Sequence, residues 1–120
     1  QNGIYTSTKL IRDNPDLVRR YMRAYVEADH FFKTHKEESI KILRKYSRLE
    51  DRKVLEESWE WQAKYMPDAP YPPADGYQLV LQDMAEKNPK AAQANVKDYI
   101  DTRFIKELED SGFINALYRK

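Results

Sequence analysis

The sequence predicts a mainly α-helical chain, with one N-terminal strand followed by five to six helices. Three observations carry that reading. The opening stretch GIYTST, Gly3 to Thr8, is β-branched and aromatic, a composition that favours extended, sheet-packed backbone. Beyond Asp16, apolar residues recur at steps of three and four, which puts them on one stripe of a helix. Between these stripes lie strong caps and breakers: Asn14-Pro15-Asp16, Thr34-His35-Lys36-Glu37, four prolines between Met66 and Gly76, and Gly112.

In order, Gly3 to Ser7 is the expected strand, and it raises a difficulty at once. A lone strand cannot pair its own backbone N–H and C=O groups, and nothing after Asp16 reads as a second one. Disorder before Thr8, or pairing with the same segment of another copy, is the expected outcome. Ser7 or Thr8 caps a short turn over Lys9 to Asp13. Asn14 then caps a long helix to Thr34, with Pro15 in its first position and Asp16 in its first turn. Leu17, Val18, Tyr21, Met22, Tyr25, Ala28 and Phe32 form its stripe. Thr34 to Glu37 has the spacing of a capping box and opens a second helix over Lys36 to Tyr46. A third, Asp51 to Tyr65, carries Leu55 and Trp59 inward. Trp61 lies about 200° from Trp59 at about 100° per residue, so the two indoles belong to different faces. The proline-rich stretch is an extended connection leading into a fourth helix, Pro73 to Lys87, with Val80, Leu81 and Met84 on its stripe. Lys87 to Asn95 reads as a polar loop. The fifth helix, Thr102 to Asp110, is capped by Asp101, buries Phe104, Ile105 and Leu108, and stops at Gly112. Phe113, Ile114 and Leu117 make a last apolar turn.

At 120 residues the chain suits one domain, 1–120, with one core. Nine Tyr, four Phe and two Trp are too many for a disordered chain. A formal net charge of +1 leaves no global field to draw in nucleic acid. Basic residues do thicken between Lys36 and Lys53, but Glu37, Glu38, Glu50 and Asp51 share that surface. No cysteine is present, so disulfide and thiol chemistry are excluded. No apolar run has the length of a transmembrane helix.

Catalytic and metal chemistry find little support. His30 and His35 are five residues apart, about 140° round a helix, and so miss the same-face spacing of a zinc helix. The carboxylates fall on charged outer faces among Lys and Arg. Three scattered glycines build no phosphate-cradling loop. The expectation is no enzyme activity, no metal and no cofactor. What remains is the opening segment. Tyr5, Thr6 and Ser7 combine a ring and hydroxyls with the start of a helical turn, a set that suits a small anion or carboxylate. The plainer reading of the same residues is a strand with a Ser or Thr cap.

With those residues laid out, the order of elements resembles a known family. YTSTKLIRDNPDLVRRYMRAYVEADHFFKTHKEESIKIL is similar to the C-terminal part of bacterial extracytoplasmic solute-binding proteins of ABC importers. The branch is the one that contains the nitrate, taurine, alkanesulfonate and thiamine-precursor binders. PYPPADGYQLVLQDMA resembles the entry to their penultimate long helix, and VKDYIDTRFIKELEDSGFINALY their ending. The resemblance covers essentially all 120 residues through caps, breakers and core positions. It implies the C-terminal helical portion of a two-lobed α/β periplasmic-binding-protein fold, whose opening strand crosses back to join the first lobe's sheet. It also implies capture of a small sulfonate, nitrate or pyrimidine-type solute outside the cytoplasmic membrane and delivery to ABC permease subunits. The protein would then be periplasmic or lipid-anchored. Tyr5, Thr6 and Ser7, on the crossing segment, are the implied ligand-binding residues, and a chain offering one wall of a cleft should bind weakly alone. Two other readings fit the same residues: a stand-alone helical interaction module, and a ligand-sensing lobe of a regulator or enzyme.

Overall fold

A 20-residue helix sets much of the layout, because the segments on either side of it and the C-terminal helices pack against it. The structure, a computed structural model, describes residues 4–119. Helix α1 spans Thr8–Asp13 and α2, the long one, Pro15–Thr34. Helices α3 (Lys36–Ser47) and α4 (Arg52–Tyr65) follow. The proline-rich connection, expected to be extended, bends at Met66, Asp68 and Ala69 and leads to α5 (Ala74–Ala85), the short α6 (Pro89–Ala92) and a 3-10 turn at Val96–Asp98. The chain ends with α7 (Arg103–Asp110) and α8 (Phe113–Tyr118).

The five long helices lie where the apolar spacing puts them, within a residue or two. The caps explain most of the ends. Asn14 Oδ1 accepts from Leu17 N–H at 3.2 Å with Pro15 in the first turn, and Asp51 Oδ1 accepts from Lys53 and Val54 N–H. Gly112 takes φ 77°, the left-handed conformation that breaks α7 from α8 and that L side chains rarely adopt. The capping box at Thr34 does not form. Thr34 ends α2 instead, its hydroxyl donating to His30 C=O at 2.8 Å, and His35 stands at the head of α3 without a side-chain capping bond, its Nδ1 lying 2.9 Å from the Thr34 hydroxyl. The stretch expected as a polar loop contains α6, capped by Asn88.

The expected N-terminal strand is absent: no strand occurs among the described residues. Gly3 lies outside them. Ser7 keeps extended torsions, φ −87° and ψ 148°, so the local preference of the segment is expressed. A strand needs a ladder partner as well, and the rest of the chain is helix and turn. Ser7 Oγ is committed to α1, accepting from Leu10 N–H at 3.1 Å, and Tyr5 reaches Tyr77 on α5 through its hydroxyl. Ile4, Tyr5 and Thr6 thus lie along a groove of their own chain.

Packing divides along α2. Its outer end joins the α3–α4 hairpin through one peptide carbonyl. Phe32 C=O sits in the last turn, where helix carbonyls lack intrahelical partners. It accepts from Ser39 Oγ at 3.1 Å and from Trp59 Nε1 at 2.8 Å, so three helices meet on one oxygen. Ion pairs Lys36–Glu60 and Arg52–Glu37 span the same joint, each exposed and contributing little. Further along α2, Val26 is fully buried against Ile105 of α7 and Ile114 of α8, with Met22, Leu108 and Leu117 around them. This core is small. The radius of gyration is 17.2 Å, against about 13.5 Å for a compact domain of this length, and the axes measure 46 × 36 × 23 Å. Of the residues expected inside, Leu17, Tyr21, Val80 and Met84 are exposed. The helical period was right at these positions, but an elongated molecule has no layer to lay over them.

Candidate functional site

A groove of about 190 Å³ opens where the N-terminal segment, α2, the proline-rich connection and α7 converge. Each wall has a local cause. Pro70, Pro72 and Pro73 fix φ and remove backbone donors, so Met66 to Pro73 cannot fold back as helix. It runs irregularly, bending at Met66, Asp68 and Ala69, and holds Tyr71 between prolines. Tyr71 N–H donates to Ala69 C=O at 2.8 Å, and its hydroxyl donates to Glu109 Oε2 at 2.6 Å, tying the connection to α7. The Glu109 carboxylate pushes the Tyr71 phenol up to about 12, so it stays a proton donor under ordinary conditions.

The opposite wall comes from Ile4, Tyr5 and Thr6. Tyr5 and Tyr77 hydroxyls are 3.2 Å apart, and that bond is the main reason the Tyr77 phenol is raised. Val18, Met22 and Tyr25 of α2 form the floor, where burial raises the Tyr25 phenol. Tyr99 and Ile100 close the remaining side just after the 3-10 turn, followed by Asp101 and Phe104.

The electrostatics are simple. Five tyrosine rings, three prolines and aliphatic groups line the groove, with no Lys, Arg or His among its lining residues. Its one ionised group is Asp101. Arg103 forks onto that carboxylate at 2.7 to 3.2 Å and holds its pKa below the usual range. A free anion entering the groove would meet a carboxylate and phenols, with no cation to receive it. A ring with polar edges meets aromatic faces and hydroxyls that can both donate and accept.

The three residues singled out from the sequence therefore separate. Tyr5 and Thr6 line the groove, whereas Ser7 does not and serves as the cap of α1. At that helix start Ser7 Oγ is taken up as the acceptor of the Leu10 N–H, and α1 is only six residues long. Tyr25, Tyr71, Tyr77 and Tyr99 were missed. A sequence signal existed in the number of tyrosines and in PYPP, but their convergence depends on how α2, α5 and α7 dock, and no spacing encodes that.

Elsewhere the histidines are used in packing. His30 meets the Tyr118 ring edge-on at 4.9 Å, and His35 stacks on Phe31 at 4.3 Å. Among the described residues no group of three or more His, Asp or Glu side chains is placed to hold a metal ion.

Comparison with models of protein families, with curated proteins and with solved structures gives no match to this chain. The likeness to solute-binding proteins rests on the residues quoted for it, and the groove has to be read from its own chemistry.

Proposed function

We propose that this chain takes part in solute capture for an ABC-type importer, and that its groove receives a small uncharged ring compound of the pyrimidine type. One observation carries the reading. The segment that the family resemblance assigns to a ligand cleft, Tyr5 and Thr6, forms one wall of a groove otherwise made of tyrosine rings and prolines. A volume of about 190 Å³ suits a single substituted ring; a cavity of roughly 150 Å³ accepts benzene. The absence of lining cations ranks nitrate and sulfonates below a neutral ring, since an anion would lose its hydration with nothing in exchange. The chemistry required is recognition alone. Ring faces stack on the ligand, and the Tyr77 and Tyr99 hydroxyls read its edge. The Tyr5–Tyr77 bond ties the N-terminal segment to α5 beside the groove.

The test is a nuclear magnetic resonance titration of the labelled 120-residue chain with cytosine, an alkanesulfonate and nitrate in turn. The ring compound should shift the resonances of Tyr71, Tyr77 and Tyr99 with weak, fast-exchange binding, and the two anions should leave them in place. Shifts caused by nitrate or sulfonate alone would reverse the ligand assignment. Silence from all three would remove the capture reading, and sub-micromolar affinity would show that the chain supplies more than one wall.

A further inference from the structure

The outer surface of the α3–α4 hairpin carries a feature that solute capture does not use. Ile42 and Tyr46 fall at i and i+4, neighbours on one side of α3, and Leu49 follows just past its end; all three are exposed. Tyr46 is 76% exposed. On α4, Val54, Trp61 and Tyr65 form a second exposed row; at about 100° per residue they fall within about 40° of one another. Cations are threaded through both rows. Lys45 Nζ lies 5.5 Å over the Tyr46 ring and Lys64 Nζ 5.1 Å over the Tyr65 ring. Of the four acids expected to offset this basic stretch, Glu50 engages Arg44 and Glu37 engages Arg52, while Glu38 and Asp51, like Lys41, Lys45 and Arg48, have no ion pair among the described residues. Arg48 sits in the left-handed conformation, φ 59°, at the corner between the helices, and so ends α3 without a glycine.

We propose that this hairpin surface docks on the face of an anionic lipid bilayer, lying in the interface rather than crossing it. Charge complementarity selects the partner: Lys41, Arg44, Lys45 and Arg48 line one shallow depression in which Glu50 is the single acid, on a molecule whose formal net charge is only +1. The rest of the surface fits the same partner. Trp and Tyr rings with short aliphatic chains belong at headgroup depth, where an apolar body and a polar edge are both solvated, and Lys stems reach past them to the phosphates. A nucleic acid offers nothing for Ile42, Leu49 and Val54 to bury against. No described helix is long and apolar enough to cross a membrane.

Co-sedimentation with vesicles of phosphatidylcholine, with and without phosphatidylglycerol, tests this, with Trp emission read alongside. The chain should bind only the anionic vesicles, shift its Trp emission to the blue and release as salt rises. Lys41→Gln with Lys45→Gln should weaken binding on the order of 25-fold, about fivefold per cation. Tyr46→Ser with Leu49→Ser should abolish the blue shift. All four positions are exposed, so the fold should survive, as circular dichroism would verify. No binding to anionic vesicles at low salt overturns the proposal. So does vesicle binding that neither variant weakens, or tighter binding to an oligonucleotide or an acidic peptide than to the vesicles. None of these results depends on the groove or its ligand.

Discussion

Asp29 is the acid whose burial should govern how stability varies with pH. It lies on α2 and is 7% exposed, and among the described hydrogen bonds its carboxylate has no partner. Burial pushes its pKa up to about 6 from an ordinary 3.8, with the Lys33 ammonium opposing the shift. A raised acid binds its proton more tightly in the folded chain than in the unfolded one. Between about pH 4 and pH 6 the native state therefore carries the extra proton, and stability falls as pH rises through that window. The shift of about two pH units, at about 1.4 kcal/mol each, corresponds to roughly 3 kcal/mol. Asp29→Asn keeps the shape and removes the titration. Urea unfolding followed by far-ultraviolet circular dichroism should be run on both chains at steps from about pH 4 to pH 7.5. The gap between variant and wild type should widen in the variant's favour by up to about 3 kcal/mol over that range, then level. Other carboxylates titrate equally in both chains and cancel in the difference, provided that they lie far enough away to act independently. A gap that stays constant would show that the Asp29 carboxyl is well solvated, and the reasoning from its burial would fail.

The Tyr118 hydroxyl is buried without a hydrogen-bond partner, and burial pushes its pKa up to about 12; Tyr118→Phe should be neutral or stabilise by about 1 kcal/mol, and a loss above that in denaturant unfolding would reveal a missed partner. Ile105→Ala should cost about 2–5 kcal/mol in the same assay, because Ile105 packs on Val26 and Ile114 at the centre of the core. Tyr21 belongs to the stripe that sequence reasoning put inside, but it is 58% exposed, so Tyr21→Ala should cost under about 1 kcal/mol. Tyr5→Phe removes one end of the Tyr5–Tyr77 bond; backbone order parameters measured by nuclear magnetic resonance should fall at Thr6 and Ser7 while α2 stays rigid, and unchanged values would mean that the bond does not hold the segment.

How much could be read in advance follows from the range of the interactions involved. Helix ends are decided within four residues, so Asn14-Pro15, Asp51 and Gly112 announced theirs correctly. The inward direction of α7 was equally local, since Phe104 and Ile105 are buried as their period requires. The strand failed because its composition speaks only for torsion angles, and Ser7 does adopt them; pairing is a property of a second segment that the described residues do not contain. Burial failed at Leu17, Tyr21, Val80 and Met84 for a related reason. Periodicity names the face that would be buried if something covered it, and an elongated molecule covers only part of α2 and less of α5. The groove was the least legible feature. Tyr5 and Tyr77 are 72 residues apart, and Tyr71 meets Glu109 across 38. Such pairs exist only after α2 has docked on α7 and the proline-rich connection has been laid between them. The same dependence explains why the groove is built from tyrosines. A ring supplies apolar area that can dock before any hydrogen bond is made, and its hydroxyl then selects among the docked arrangements. Tyr71 shows both parts, with its ring at the groove and its oxygen on a carboxylate that fixes the wall.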